Sequence, residues 1–393
     1  MINTTKQWMV TGVVAAVLVA SGLTTVSAAP AGAATNSPRT TQLVLQSPTA
    51  YKPKAPPGGG TDDYHCTLLN PHLKKSAFIT SIDFQPNSPE VHHEITYEVP
   101  PDLAAEAEAQ NDGGKGWTCF GESGLSGSGA ARSLNGGTPW LTAWGPGHNI
   151  SKEPTGTGAP MPVGSLVIMQ EHYNMLVGDA PVHSTLTLTT VPATTPLRPL
   201  RLELAAAPPD IPCPSGSTGP MCSRSAELAS VGQRFGASQE IEVDGLEAIC
   251  GHNVSDPPAS DTASCTWPIR GSGNIVELSA HMHLLGVGMT FVLNPGTPSQ
   301  RTLLDVKDYD FHYQRGYDLA KPVPVGPGDT IGITCTYDPA RELQLPILRR
   351  VSPHFVTWGD GSTDEMCLGL ILMTPPTGEP ESVALAHAFP PSV

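Results

Sequence analysis

The sequence predicts an all-β protein, and three observations carry that expectation. Prolines number 41 and glycines 40 in 393 residues, so turns come at close intervals. Only 15% of the residues are charged, and the apolar runs are short and alternate with polar residues, the period of a half-buried strand. Long amphipathic helical patterns are missing. The length suits two domains, each able to bury a core.

Taken in order, the chain opens on a targeting segment. Lys6 precedes an apolar run, Trp8–Val19, and the cleavage-like triplets Val26-Ser27-Ala28 and Ala31-Gly32-Ala33 follow. The run is shorter than the roughly 18–20 apolar residues of a membrane span, so residues 1–33 read as a removable signal peptide. Residues 34–60 are rich in Thr, Pro and Gly and end in Pro56-Pro57-Gly58-Gly59-Gly60, which predicts a linker. The first domain is expected over 61–191. Its candidate strands are Ala77–Phe84, Val91–Val99, Ser165–Tyr173 and Ser184–Val191, with Gly-rich loops in Asn111–Gly147. Residues 192–199, with three prolines, read as an interdomain connection, and 200–378 as the second domain. Strands are expected there at Gln239–Val243, Ile275–Leu285, Met289–Leu293, Thr330–Tyr337 and Met366–Met373. Pro208–Cys222 and Cys250–Trp267 read as long loops, and 379–393 as a tail.

The formal charge of −15 and the lack of basic patches argue against nucleic acid as a partner. No stretch beyond the leader is apolar enough to span a bilayer, so no stable membrane insertion is expected after its removal. Eight cysteines in an exported chain read as four disulfides, which places the protein outside the cell as a secreted species. Proximity suggests Cys213–Cys222 and Cys250–Cys265 as loop staples. Cys335–Cys367 and Cys66–Cys119 are longer-range pairings put forward without a spacing argument.

The candidate chemistry lies in histidines. In Ala280–Gly286 (AHMHLLG), Val276, Leu278, Ala280, Met282 and Leu284 alternate with Glu277, Ser279, His281 and His283. Residues i and i+2 of a strand share a face, so His281 and His283 can hold one ion. In VHHEITYEV, His92 and His93 point apart in a regular strand, and a bulge is needed if both bind one ion. The other reading is one core and one surface histidine. His172 follows in QEHY, and Met366 adjoins Cys367 in DEMC, where Met366, Leu368, Leu370 and Leu372 also read as a core face. Imidazole with thioether favours copper over the hard cations, which want oxygen.

Six short pieces in order give a resemblance. VHHEITYEV, Ala143-Trp144, QEHY, AHMHLLG, Gly328-Asp329 before Cys335, and DEMC resemble the copper type II ascorbate-dependent monooxygenases, the group of peptidylglycine α-hydroxylating monooxygenase and dopamine β-hydroxylase. The Ala/Gly/Pro-rich exported style suggests a bacterial member. The resemblance implies two antiparallel jelly-roll β-sandwich domains in tandem, each with one copper ion. It implies that His92, His93 and His172 hold an electron-transfer copper. His281, His283 and Met366 would hold the catalytic copper that meets O2 and a small-molecule or peptide substrate. Ascorbate or a substitute would be the one-electron reductant, and a substrate C–H bond would be hydroxylated. The resemblance also implies Cys335–Cys367. Cys66 and Cys119 have counterparts whose usual partners are absent, and pairing with each other is the alternative. The peptide-amidating branch clamps a carboxylate with an arginine two residues before H-x-H, where this chain has Ser279; an asparagine and a tyrosine of that branch are Leu368 and Leu370 here. Peptidylglycine amidation is therefore not expected. The alternative function is a non-enzymatic extracellular copper-handling protein built on the same six ligands.

Overall fold

The computed structural model describes residues 39–56, 59–126, 138–145 and 151–378. The expected signal peptide, the tail 379–393 and part of the Gly-rich stretch lie outside these residues. The described chain is mostly strand and belongs to one compact unit.

The first half carries β1 (Thr41–Gln46), β2 (Asp62–Leu69), β3 (Ala77–Gln85), β4 (Val91–Val99), β5 (Trp117–Thr118), β6 (Trp140–Trp144), β7 (Ser151–Lys152), β8 (Thr157–Met161), β9 (Leu166–Asn174), β10 (Thr185–Pro192) and β11 (Arg198–Pro199), with helix α1 (Ala104–Gln110) after β4. One sheet runs β1-β10-β3-β8-β11 with β7 also on β3, and the other runs β5-β2-β9-β4-β6. Their inner faces share a core: Ile79, Ile82 and Phe84 from β3 and Leu186 and Leu188 from β10 meet Val167, Met169 and Tyr173 from β9. Alternation then turns Gln170 and His172 to the opposite face of β9. Every residue of β9 is buried, the polar ones included: Cys119 and Glu122 of the same half cover Gln170, and Ser362 of the second half bonds Asp62 beside His172.

The second half carries β12 (Arg201–Ala206), β13 (Asp210–Ile211), β14 (Thr262–Pro268), β15 (Gly273–His281), β16 (Gly286–Leu293), β17 (Arg301–Val306), β18 (Gly316–Val325), β19 (Thr330–Tyr337), β20 (Val356–Thr357) and β21 (Leu368–Thr374). Helices α2 (Arg224–Phe235), α3 (Ala237–Ile249) and α4 (Arg341–Gln344) interrupt them. The sheets β12-β21-β15-β18 and β14-β19-β16-β17 close on one apolar core, and β13 pairs with β20. In β21, Ile371 and Met373 belong to that core. Gly369 is there because a Cβ would come within 2.6 Å of the Phe291 ring. Leu368, Leu370 and Leu372 consequently take the other face.

Several expectations need correction. Thr41–Gln46, inside the stretch read as linker, is the edge strand of the first sheet, paired with β10 along its whole length. Gln239–Val243 is helix, not strand. Its short polar–apolar alternation belongs to a longer window in which Gln239, Val243 and Leu246 are buried at helical spacing. Gly236, at φ 101°, separates that helix from α2, whose N-cap Ser223 accepts the Ala226 N–H. β15 stops at His281 and β21 starts at Leu368, so His283 and Met366 lie just off strand ends. The prolines of 192–199 do not form a free connection, since β11 pairs in parallel with β8. β6 crosses the stretch read as loops.

Four disulfides join Cys66–Cys119, Cys213–Cys222, Cys250–Cys265 and Cys335–Cys367, the pairs put forward from the sequence. The last spans 32 residues and ties β19 to the residue after Met366, a closure that contributes about 3–4 kcal/mol in the chain-entropy account.

Buried carboxyls give the fold a pH signature. Burial pushes Glu98 and Glu171 up to about 7 and Glu365 up to about 8, each partly opposed by hydrogen bonds. Groups that keep their protons longer when folded stabilise the fold at low pH, and that contribution is lost as pH rises through the folded value. Between pH 7 and 9 the metal-free protein should lose about 1 kcal/mol through Glu365 and roughly a third of that through each of Glu98 and Glu171, whose loss falls mostly below pH 7. Calorimetric melting across that range checks this, and a midpoint that holds steady or rises contradicts it.

Candidate metal centre

The two histidine sets meet. On β4 the pairing with β9 slips between Val91 and His93, the irregularity that lets adjacent histidines turn to one side. His172 comes from β9, directly opposite His93. His93 Nδ1 lies 3.4 Å from His92 Nδ1 and 3.0 Å from His172 Nδ1. Nitrogens bound at about 2.0 Å around one tetrahedral ion are about 3.3 Å apart, so this spacing suits a shared ion.

The surroundings assign the lone pairs. His172 Nε2 is 2.8 Å from Asp62 Oδ1. Burial pushes the Asp62 carboxyl up, but donors from His172 and Ser362 outweigh it and hold it at about 2. Asp62 is thus an acceptor, His172 donates from Nε2, and its Nδ1 is left for a metal. Tyr64 stacks on the His172 ring at 4.3 Å. Burial, and then the neighbouring imidazoles, lower His92 and His93 well below the usual histidine value, so both are neutral at pH 7, the form a metal would need.

His281 ends β15, and His283 sits in the turn that follows. Two buried side chains hold that turn away from the sheet. Glu365 accepts from His283 N at 2.8 Å and Leu285 N at 2.6 Å, and Tyr309 Oη bonds both backbone groups of Met282. Gln314 Nε2 donates to Phe311 O, which turns Gln314 Oε1 toward His281 Nδ1 at 2.6 Å. His283 Nδ1 faces Asp364 O at 3.1 Å. Both rings donate from Nδ1 and keep Nε2 free. Burial lowers His281, and lowers His283 to about 3. The buried Nε2 of His283 has no hydrogen-bond partner, a cost that a metal would relieve.

The sets adjoin across the halves. The His93 and His281 ring centroids are 6.0 Å apart. Phe311 stacks on His92 at 4.2 Å and meets His283 at 5.8 Å. Met366, 9% exposed, lines with His93 and His281 a cavity of about 980 Å³. Leu368, Leu370 and Leu372 line it too, while Met366 and Leu368 also belong to the core of the second half and Leu370 packs against it.

Asp62, Gln314, Glu365, Tyr309 and Phe311 were missed by sequence reasoning. None has a fixed spacing to the histidine it serves. A second buried cluster, Glu227, His354 and Asp364, is also close enough to hold an ion. Arg234 already fills it, bonding both Asp364 oxygens at 2.7 Å and Glu227 at 2.8 Å.

If His92, His93 and His172 hold a copper ion, Asp62→Ala should weaken it by about 10–100-fold, the usual effect of removing a ligand's hydrogen-bond partner. Copper titration of the purified variant checks this, and unchanged affinity would remove Asp62 from the site.

Residues 259–380 match the family model described as the C-terminal domain of copper type II ascorbate-dependent monooxygenases. No curated protein matches the chain. Among solved structures, an allantoicase is 12% identical over 69% of this chain and 73% of its own, with a TM-score of 0.18. A fucolectin from striped bass (Morone saxatilis) serum is 7% identical over 86% and 96%, with a TM-score of 0.17. These likenesses carry no argument. The matched stretch takes in His281, His283 and Met366, and the likeness to a copper- and ascorbate-dependent monooxygenase domain is confined to it.

Proposed function

We propose that the chain is an exported dicopper monooxygenase of the copper type II ascorbate-dependent family, built from two jelly-roll domains, 61–191 and 200–378, behind a signal peptide. The observation that carries this reading is the convergence of His93, His281 and Met366 on one cavity, with His92, His172 and His283 directly behind them. His92, His93 and His172 would hold one copper ion. His281, His283 and Met366 would hold the other.

Copper supplies one-electron chemistry and O2 activation when bound. The protein residues do the remainder. Asp62 and Gln314 fix the tautomers of His172 and His281, and Asp364 fixes that of His283. Glu365 and Tyr309 hold the turn that carries His283. Phe311 packs between the sets and excludes water. The cavity receives the substrate and O2. The overall reaction converts a C–H bond to C–OH with one oxygen atom of O2. The other atom leaves as water, with two electrons from an ascorbate-like one-electron reductant and two protons. With Ser279, Leu368 and Leu370 on the cavity wall, no carboxylate clamp is present at those positions, which speaks against peptidylglycine amidation.

Copper stoichiometry on the mature, reconstituted protein, followed by ascorbate-driven oxygen consumption on the same sample, tests the proposal. Two ions per chain with reductant-dependent turnover are expected. Two ions that reduce but never consume oxygen with any substrate would favour copper handling. Met366→Ile should lose more than about 100-fold in hydroxylation while retaining copper at His92, His93 and His172. Unchanged product formation would overturn the assignment of Met366.

A further inference from the structure

The cavity wall has a chemical character that the metal ligands do not explain. β12 and β21 pair in register, placing Leu202 opposite Leu372, Leu204 opposite Leu370 and Ala206 opposite Leu368. All six line the cavity. Alternate residues of a strand share a face, so these side chains form a two-column apolar ladder. It runs for about 13 Å along the strand, from the Met366 end toward Pro375. Trp140 and Trp144, from β6 in the other half, also line the cavity. A volume of about 980 Å³ suits a molecule of some length.

Charge is arranged to match. Lys152, Arg201 and Arg315 are the lysines and arginines among the described lining residues, and all three are exposed. Arg201 is already bonded to Glu203 at 3.0 Å, and Arg315 sits over the Tyr317 ring at 4.7 Å. None of the three is buried, so a carboxylate buried against the ladder would have no buried cation among them. Two of the acidic lining groups are pushed toward their neutral forms. Burial, and then the charge of Glu277, pushes Glu153 up to about 8, and burial, and then Asp318, pushes Glu277 up to about 7. Protonated carboxyls offer hydrogen bonds rather than charge.

We propose that the cavity binds an elongated, uncharged apolar molecule laid along the leucine ladder, with one end at His281 and Met366. This rests on the monooxygenase reading for what happens to that end, but the binding is a property of the cavity alone.

The test uses metal-free protein and three probes of one chain length: 1-decanol, decanoate and decylammonium. Tryptophan fluorescence at pH 7 reports binding. 1-Decanol should bind at least about tenfold more tightly than either ion. Leu370→Asn and Leu204→Asn, both half-buried positions facing the cavity, should each weaken 1-decanol by about tenfold while the melting temperature stays near that of the parent. Equal or tighter binding of decanoate or decylammonium would overturn the proposal. So would 1-decanol binding that neither substitution alters, which would mark adventitious apolar adsorption. If 1-decanol binds but the copper-loaded protein never consumes oxygen, the monooxygenase reading fails and the cavity assignment stands. If oxygen is consumed with other substrates but 1-decanol does not bind, the cavity assignment fails alone.

Discussion

The Asp62 carboxylate is the contact on which the arrangement of the site depends. It takes the His172 Nε2–H at 2.8 Å from its own half, and Ser362 N and Oγ at 3.2 and 2.8 Å from the other. Ser362 belongs to the loop that continues through Asp364, whose carbonyl faces His283 Nδ1, to Met366. One buried charge therefore orients a histidine of the first set and pins the segment that presents two residues of the second. A charge buried this deeply is tolerated because its donors replace its water. Tyr64 reinforces the junction, stacking on His172 and donating to Asp360 O at 2.6 Å.

The same loop is held from behind by Arg234 of α2. Its guanidinium bridges Asp364 and Glu227 in a bidentate geometry that lysine could not reproduce. The helices, absent from the sequence-based expectation, thus have a clear task. α2 delivers the cation that lets an acidic loop be buried against the histidines. Cys335–Cys367 fixes the loop's far end.

What was legible in the sequence was whatever is local. The alternation around His281 foretold a polar face and an apolar one, and Leu278 and Ala280 are buried as that alternation requires. The adjacency of His92 and His93 required a strand irregularity if both were to face one ion, and the pairing slips there. The helical nature of 237–249 was hidden because Gln239 to Val243 alternates like a strand over five residues, and only the longer window shows the 3.6-residue period. Asp62 was hidden for a different reason. It is 110 residues from His172, and no spacing rule links an acid on one strand to a ring nitrogen on its neighbour. Whether the two histidine sets stood apart or together was equally beyond local pattern, since it depends on contacts between the halves.

That the sets adjoin sets a strict electrostatic condition. Rings of the two sets lie within about 6 Å of one another, and burial depresses His92, His93, His281 and His283, so these four share the buried space as neutral groups. Neutral rings are also what a soft cation needs as ligands. The layer behind the rings is acidic: Asp62 on one side, Asp364 and Glu365 on the other, with Asp360 raised well above the ordinary carboxylate range by burial and by its acidic neighbours. The ionised members of that layer are already paired, Asp62 with His172 and Ser362, and Asp364 with Arg234. Glu365 and Asp360 are instead pushed toward their neutral forms by burial. A cation held by the imidazoles would favour the ionised forms of these two, so on the proposed reading positive charge would enter this site with an ion rather than with a proton.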